Sequence, residues 1–401
     1  MTATEPGRRA GDALHRVLER AAVTAAAVGD RFPLHAEPAD GTWTTTRNGS
    51  WTGGFWAGLL WLRARSTGAA ADRRAASAWT ARLAPRVEAD TATRGLILWY
   101  GTAAAEDDPE AAALRARAAR ACLSAFDPGL GIVPWGDAFG GPRLLARADG
   151  VPGMVPLLAS AGPAGAAAAS AHLHRHLDLC LGPEGREADD ALDGGPARGA
   201  AGTGGGAANA PDPPAPDPHA PPGRPRPPAW RFEGAVTGWR PCAEPAPGWS
   251  RGDAWLLLAV ADALLLPDVA GHRPARLEAA AGRLAAPALR YGPLVPPART
   301  GHPDDPLDTS AAAITAVALL KLALSPGPLA ARYARRAEEI LGRLVREHVT
   351  GPGGGRPAGM LLDGCYDAGR ALAVRHELIW GDFFLALGLA ARNGLVDLTR
   401  L

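Results

Sequence analysis

The sequence predicts an all-α fold, an (α/α)6 barrel in which twelve helices form a double ring. Apolar residues recur at three- and four-residue spacing along most of the chain, which is typical of amphipathic helices. Convincing runs of alternating strand residues are missing, and breakers containing Gly and Pro separate the helical segments. Twelve helices in antiparallel pairs can close into such a ring. The predicted helices are residues 9–29, 52–66, 70–86, 93–105, 108–125, 150–161, 163–181, 250–267, 274–286, 308–325, 328–348 and 378–393.

A Gly- and Pro-rich region interrupts this pattern. Residues 188–228 contain almost no large apolar side chain. Such a segment cannot offset its loss of conformational entropy by burial, so we predict a disordered loop insertion. The helical pattern is of the same kind on both sides. This favours a single domain over residues 1–401 with an inserted loop, rather than two domains joined by a linker.

The charge balance and the cysteines restrict the class of protein. The chain has 42 basic and 41 acidic residues, and its net charge of +1 disfavours nucleic acid as a partner. Its only lysine, Lys321, lies in an apolar segment, and a P-loop motif is missing. We read no signal peptide and no apolar run long enough to span a membrane, and the four cysteines lie far apart. We therefore expect a cytoplasmic protein with no cofactor or metal; the oligomeric state stays open.

Tryptophans gather at the starts of predicted helices, which would place them at one rim of the ring. The strongest motif, NGSWTGGFWAGLLW, has Trp51 at the mouth of a helix. Such a ring can pack in the core, or it can stack on the apolar face of a sugar. Trp135, in the stretch IVPWGDAFG, is predicted to lie at the same rim and to contact substrate.

Asp149 is the main candidate for a catalytic group. It lies in ARADGVPGMVPLL, at the start of an apolar helix. One interpretation is a helix N-cap, because a carboxylate accepts hydrogen bonds from unpaired backbone N–H groups. The other is a general acid. A general acid needs a raised pKa, whereas a capping carboxylate has a lowered one.

A second charged motif, WSRGDAW, also begins a helix, with Ser250 as the predicted cap. Arg251 and Asp253 could form a local ion pair, or they could hold a substrate carboxylate and hydroxyl, since a guanidinium matches a carboxylate in shape. Two further motifs, LDTSA at 307–311 and IWGDFF at 379–384, are most simply capped or packed helix starts.

Taken in order, these five motifs resemble those of the unsaturated glucuronyl hydrolases, glycoside hydrolase family 88, and the related unsaturated rhamnogalacturonyl hydrolases. WTGGFWAGLLWL is similar to the family's WT-x-GF-x-x-G-x-x-WL, WSRGDAWLLL to WSRGQAW, DTSAAAI to DSSA-x-AI, and IWGDFFLALGLA to the GDY-F-EAL ending. ADGVPGMVPLL lies where the family has the helix that begins with a catalytic aspartate. Order and spacing agree from about residue 40 to 395, apart from the insertion. The family fold is the (α/α)6 barrel, which agrees with the helix count.

The resemblance implies an enzyme that acts on an oligosaccharide whose non-reducing uronate carries a 4,5 double bond. In that chemistry an aspartic acid protonates C4, water adds at C5, and the resulting hemiketal opens and releases the sugar. Asp149 would be the general acid and base. Trp51 and Trp255 would line the sugar site, and Arg251 would place the substrate or the catalytic carboxylate.

Three departures from the family pattern concern its polar groups. Thr93 stands where the family has a second functional aspartate, and Asp253 replaces the glutamine of WSRGQAW. The family's substrate-contacting histidine is replaced near Trp239. One hypothesis is that Asp253 supplies the missing carboxylate as a second catalytic residue, with Arg94 as its counter-ion. Arg94 and Trp239 are then further candidate substrate-binding residues.

Two other functions stay open at this point. The family carries a His-Asp-x-Gly-Phe motif, and Thr93 stands in place of its aspartate. The loss of this motif favours an enzyme of the same fold that acts on another sugar or metabolite. A carbohydrate-binding protein without activity is the second alternative. His172 and His176 lie one helical turn apart and could bind a metal, but a third ligand with suitable spacing is not evident.

Overall fold

The computed structural model describes residues 5–182, 227–290 and 292–401. The insertion predicted at 188–228 lies outside the described residues, apart from Pro227 and Pro228. None of the described helices is both long and apolar enough to cross a membrane. The α-helices are α1 Glu5–Val28, α2 Gly53–Thr67, α3 Ala70–Ala81, α4 Pro109–Ser124, α5 Met154–Ala159, α6 Pro163–Leu181, α7 Ser250–Leu265, α8 Pro267–Ala270, α9 Pro274–Leu289, α10 Thr309–Leu324, α11 Ala330–Glu347 and α12 Ile379–Arg392.

Six helical segments form a closed inner ring. α2 contacts the π-helical turn Gly95–Trp99, which contacts α5, and α5 contacts α7. α7 contacts α10, α10 contacts α12, and α12 contacts α2 and so completes the ring. The helices α1, α3, α4, α6, α9 and α11 pack around this ring. The double ring is the (α/α)6 barrel that the sequence predicts.

The segment predicted as a helix over 93–105 is helical only in the π-helical turn, and turns follow it. Its backbone lies against a neighbouring inner segment on each side. A Cβ atom on Gly95 would lie 2.2 Å from the backbone N of Met154, and one on Gly54 would lie 2.2 Å from the carbonyl O of Ile97. Only glycine permits such close approach, which explains why the WTGGFW motif carries a glycine at position 54.

The sequence shows no convincing run of alternating strand residues, yet two small antiparallel sheets accompany the helical ring. One has the strand order β2-β1-β7-β6 and the other β3-β4-β5. β2, β3, β5 and β7 each precede an inner helix, so both sheets lie at the same end of the ring as the helix starts. The strands have three to seven residues, which is too short for alternation to be recognised in the sequence. They are β1 Phe32–Ala36, β2 Trp43–Thr46, β3 Leu145–Arg147, β4 Ala229–Phe232, β5 Trp239–Pro241, β6 Gly364–Asp367 and β7 Leu372–Leu378.

Aromatic side chains from several inner segments fill the middle of the ring. The ring centroid of Phe55 lies 5.4 Å from that of Tyr100, 5.5 Å from Phe383 and 5.6 Å from Phe384. Trp255 of α7 stacks on Phe55 at 6.2 Å. All five side chains are buried. The aromatic residues of the motifs therefore hold the inner helices together as well as lying near the site.

Candidate active site

A cavity of about 390 Å³ lies beside the starts of the inner helices. Its walls come from segments that precede or begin α2, the π-helical turn, α5, α7 and α12. Five of the eight predicted site residues line it, namely Trp51, Trp135, Asp149, Arg251 and Trp255. The other side chains that line it include Thr93, Phe139, Arg147, Glu244, Trp249, Arg299, Tyr366, Asp367 and Arg370.

Three predicted site residues, Asp253, Trp239 and Arg94, do not line this cavity. Asp253 is two residues from Arg251 and two from Trp255, and two residues correspond to about 200° around a helix. It therefore lies on another side of α7. Trp239 lies in β5, where its ring packs on Phe232 with a centroid distance of 5.4 Å.

Arg94 is buried and hydrogen-bonded to backbone carbonyls. Its Nε donates to the carbonyl O of Thr91 at 3.1 Å, and its Nη1 donates to that of Val87 at 3.2 Å. Arg94 and Asp253 both belong to the described part of the chain, and they form no ion pair with each other. The hypothesis that Arg94 is the counter-ion of Asp253 is therefore wrong, because the Arg94 donors are used by the loop before the π-helical turn.

Thr93 is the residue through which that loop reaches the cavity. Its Oγ1 lies 2.9 Å from Oγ1 of Thr91, and its backbone N donates to the same Thr91 Oγ1 at 3.1 Å. The resemblance implies a carboxylate at position 93. The cavity instead has a neutral pair of hydroxyl groups there, so Asp149 has no second carboxylate at that point of the wall.

Asp149 lies on the 3-10 turn Ala148–Gly150 and is not the N-cap of α5. That N-cap is Gly153, whose φ of 70° favours glycine, so the interpretation of Asp149 as a cap is wrong. The Asp149 carboxylate instead accepts two hydrogen bonds from Arg147, Nε to Oδ1 at 3.0 Å and Nη2 to Oδ2 at 3.0 Å. The side chain is 16% exposed, so a molecule in the cavity can reach it.

Arg147 is the residue at this site that sequence reasoning missed. It ends strand β3, where it pairs with Ala229 of β4. Its Cζ lies 4.3 Å from the ring centroid of Trp135, a cation–π contact. The ARAD motif placed this arginine two residues before Asp149. Only the strand-to-turn geometry, which the sequence did not reveal, brings the two side chains into a bidentate pair.

His172 supports the turn that carries Asp149, and His176 packs against the His172 ring. The backbone N of Val133 donates to His172 Nδ1 at 3.1 Å, so His172 Nε2 carries the proton and donates to the Gly150 carbonyl at 3.2 Å. Burial lowers the pKa of His172 well below its usual value and lowers the pKa of His176 to about 4. Both rings are therefore neutral at pH 7. Within the HLHRH motif, His172 therefore holds the turn, and His176 Nδ1 donates to the His172 carbonyl at 2.8 Å.

Arg251 lines the cavity, but the protein itself uses most of its hydrogen-bond donors. Its Nη1 binds the carboxylate of Asp308 and the carbonyl of Cys365, and its Nη2 donates to the Tyr366 carbonyl at 2.7 Å. The pairing of Arg251 with Asp253 is wrong, because the buried partner of Arg251 is Asp308. The guanidinium thus ties the start of α7 to α10 and to β6.

The predicted helix caps differ in outcome. Asp308 is the N-cap of α10 and accepts hydrogen bonds from the backbone N–H groups of Ser310 and Ala311, so this prediction is confirmed. Ser250 does not cap α7. Its Oγ donates to the carbonyl of Ala298 at 3.1 Å, which joins the helix start to a neighbouring loop.

Trp51 is held against the wall of the cavity by other aromatic residues. Its Nε1 donates to Oη of Tyr366 at 3.0 Å, and its ring centroid lies 4.9 Å from that of Trp380. Tyr366 belongs to β6 and had no recognisable signal in the sequence. Trp51, Trp135, Trp249 and Trp255 give the cavity aromatic walls around its charged groups.

Comparison with known proteins identifies relatives in structure. No protein-family model matches the sequence, and no curated protein matches it. An unsaturated glucuronyl hydrolase from Bacillus sp. GL1, responsible for the degradation of glycosaminoglycan, matches with a TM-score of 0.73 and 22% identity over 96% of both chains. An unsaturated glucuronyl hydrolase specific for heparin matches with a TM-score of 0.71 and 18% identity over 98% of both chains. The enzyme from Streptococcus agalactiae matches with 0.73 and 15% identity over 100% of this chain and 98% of that one. The described part of the chain thus has the fold of the unsaturated glucuronyl hydrolases.

Proposed function

We propose that this chain is a glycoside hydrolase that hydrates the 4,5 double bond of a non-reducing-end unsaturated uronate and so releases the sugar. The observation that carries this proposal is the position of Asp149, a reachable carboxylate in a cavity with tryptophan walls. Aromatic walls suit the apolar faces of sugar rings. The fold shared with the unsaturated glucuronyl hydrolases, and the ordered motifs, support the same activity.

Asp149 acts in this proposal as general acid and then as general base. The carboxylic acid gives its proton to C4, and the positive charge that develops at C5 is shared with the ring oxygen. Water adds at C5, and its proton returns to the Asp149 carboxylate. The C5 hemiketal opens to a ketone, which leaves a hemiacetal at C1. This hemiacetal breaks down to an aldehyde and releases the rest of the oligosaccharide with a free hydroxyl group. One water molecule is consumed, and Asp149 ends in its initial state.

The other predicted residues on the cavity wall have supporting roles. Trp51 provides an apolar surface for the sugar rings, Trp135 holds the Arg147 guanidinium on its ring face, and the buried Trp255 backs the wall of the sugar site. Arg251 acts through its hydrogen bonds to the β6 backbone, which place Tyr366 beside Trp51. The substrate is an oligosaccharide produced by a lyase. The thiol state of Cys122, Cys242 and Cys365 supports a reducing, cytoplasmic location.

The test is an ultraviolet assay with unsaturated uronyl disaccharides, because hydration removes the absorbance of the conjugated double bond. We expect the wild-type protein to remove the signal. The Asp149→Asn variant should be slower by at least about 100-fold, which is the lower range for losing a general acid or base. The control is Asp304→Asn, since Asp304 is exposed and lies outside the cavity. A wild-type protein that leaves the absorbance of every disaccharide in a glycosaminoglycan and heparin panel unchanged contradicts the proposal.

A further inference from the structure

The Arg147–Asp149 pair is in conflict with acid catalysis as it stands. A general acid must hold a proton, but both oxygens of Asp149 accept hydrogen bonds from the Arg147 guanidinium at 3.0 Å. A bidentate guanidinium binds the ionised carboxylate. Asp149 therefore cannot protonate C4 in this arrangement, and something must remove Arg147 from it before the reaction.

We propose that the substrate's own carboxylate does this, so that Arg147 exchanges one carboxylate for another. In the free protein Arg147 holds Asp149. In the complex Arg147 holds the uronate carboxylate, and Asp149 takes up one proton from the solvent. Arg147 is thus a positioning residue that lets only a carboxylate-bearing sugar convert Asp149 into an acid. This inference rests on the function proposed above and specifies how its substrate is selected.

The donors of Arg147 fit this exchange. A guanidinium has five N–H groups, and Asp149 uses one on Nε and one on Nη2. Within the described residues, no hydrogen bond of Nη1 to a protein acceptor is found, and the side chain is 25% exposed at the cavity. The Nη1–Nη2 edge can therefore receive a second carboxylate in the same bidentate manner before the first one is released.

Trp135 keeps the guanidinium in place during the exchange. The Arg147 Cζ lies 4.3 Å from the centroid of the Trp135 ring, and Trp135 Nε1 donates to the carbonyl of Gly140 at 3.3 Å. The ring face attracts the cation whichever carboxylate it binds. The backbone of Arg147 is fixed by pairing with β4, so that only its side chain needs to rotate.

The three other arginines on the cavity wall each lie beside a carboxylate of their own, and the most exposed of them, Arg370, has its Nη1 3.6 Å from Oδ2 of Asp367. Arg251 is bound to Asp308, and Arg299 holds Asp305 with two hydrogen bonds at 2.6 and 2.9 Å. Arg147 is the one in contact with the proposed acid. The substrate carboxylate is attached to C5, next to the C4 atom that receives the proton. A guanidinium that binds this carboxylate therefore stays beside Asp149 and leaves the Asp149 oxygens directed at the reacting bond.

The surroundings of Asp149 offer little to replace the lost counter-ion. His176 of α6 lies behind the turn, and burial lowers its pKa to about 4, so it is neutral at pH 7. His172 is neutral as well, and the facing Thr93 is uncharged. Arg175 of α6 is hydrogen-bonded to the carbonyl of Leu130 at 3.0 Å. None of these four side chains replaces Arg147 as an ion-pair partner of the Asp149 carboxylate.

The direct test is calorimetry with a saturated glucuronyl disaccharide, which carries the carboxylate but cannot react. Titrations at pH 7 in two buffers with different ionisation enthalpies give the number of protons taken up. We expect uptake approaching about one proton per molecule bound by the wild-type protein. The methyl ester of the same disaccharide lacks the charge, and we expect it to bind at least about tenfold more weakly without uptake.

The Arg147→Met variant separates this role from a structural one. Without the guanidinium there is no ion pair on Asp149 for the substrate carboxylate to open, so the uptake on binding should disappear. Without this positive charge, kcat/KM should also begin to fall at a higher pH than in the wild type. Arg147→Lys keeps a positive charge and should restore part of the uptake. The control is Arg240→Met, since Arg240 is exposed and does not line the cavity.

Each outcome decides between the two proposals. Any one of three results overturns the exchange. The wild type binds the acid disaccharide without proton uptake, or it does not bind this disaccharide at all. The third result is an Arg147→Met variant with the proton uptake and pH profile of the wild type. If the wild type still removes the ultraviolet signal of unsaturated disaccharides, the proposed function stands without it. If the wild type leaves that signal unchanged but binds the acid disaccharide with uptake, the hydrolase proposal fails and the carboxylate-linked site remains.

Discussion

Two arginine–carboxylate pairs in this protein have similar geometry and opposite surroundings. In the first, Arg147 donates to Asp149 at 3.0 and 3.0 Å, and the side chains are 25% and 16% exposed at a cavity. In the second, Arg20 donates to Glu377, Nε to Oε1 at 2.9 Å and Nη2 to Oε2 at 2.6 Å, with exposures of 4% and 0%. The second pair joins the first helix, α1, to β7, the strand that leads into the last helix.

The difference lies in the unused hydrogen-bonding capacity of each arginine. Arg20 also donates to the carbonyl of Gly41 at 3.1 Å, and the charge of Glu377 helps to raise the pKa of the buried Asp382. The pair is buried away from solvent and joins α1, near the start of the chain, to β7, near its end. Arg147 has donors left and faces a cavity. The same two chemical groups are thus structural in one place and available for binding in the other.

The largest effect on stability is expected when the buried Arg20–Glu377 pair is broken. Glu377→Gln leaves the Arg20 guanidinium buried without a carboxylate, which should lower the free energy of unfolding by about 3–5 kcal/mol. Denaturant titration measures this change. The control is Glu347→Gln, which breaks the exposed pair with Arg343 in α11 and should cost no more than about 0.5 kcal/mol. A cost below about 1 kcal/mol for Glu377→Gln contradicts a structural role for the pair.

The next largest effect is expected at the contact that supports the Asp149 turn. Gly95→Ala places a Cβ atom 2.2 Å from the backbone N of Met154, so the π-helical turn and α5 must move apart. We expect a loss of about 1–3 kcal/mol of unfolding free energy together with reduced turnover. The matched control is Gly282→Ala in α9, where a Cβ meets no atom within 4 Å and should stabilise the helix by up to about 1 kcal/mol. Equal stability of the two variants contradicts the tight contact.

The buried Asp382, next to the Arg20–Glu377 pair, predicts that the stability of the protein depends on pH. Burial and the neighbouring Glu377 raise the pKa of Asp382 well above its usual value. Asp382 thus binds its proton more tightly in the folded chain than in the unfolded one. Its contribution to stability is fully present below the unfolded carboxyl pKa and is lost as the pH rises through the raised pKa.

The Asp382→Asn variant cannot ionise, so its unfolding free energy should fall less than that of the wild type as the pH rises from about 4 to 8. Urea midpoints for both proteins across this range measure the difference. Parallel curves would show that Asp382 does not hold a proton in the folded protein.

The smallest effect on stability is expected at the partly exposed Arg147–Asp149 pair. Asp149→Asn removes a partly solvated ion pair, so the free energy of unfolding should change by about 1 kcal/mol or less. The same substitution is expected to remove most of the activity, which is the reverse of Glu377→Gln. Thermal unfolding followed by circular dichroism checks the first part. A loss as large as that of Glu377→Gln would mean that the Asp149 pair is structural too.

Sequence reasoning was most successful where the signal is local. Helix periodicity predicted most of the ring, and Trp51, Trp135, Asp149, Arg251 and Trp255 all reach the same cavity because their motifs lie at helix starts on one rim. It failed for Asp253 because adjacent residues of one motif were treated as one site. A helix turns by about 200° over two residues, which takes Asp253 away from the face that Arg251 and Trp255 share.

The sequence by itself determined the all-α ring, the order of its motifs and the position of Asp149, since these depend on spacing along the chain. Only the tertiary structure decided the partners: Asp308 for Arg251, 57 residues away, and the Gly150 carbonyl for His172, 22 residues away. It also decided that Arg147, rather than a helix N-terminus, binds Asp149. The physical reason is that hydrogen bonds and burial depend on which segments meet in space, and spacing along the chain does not contain that information.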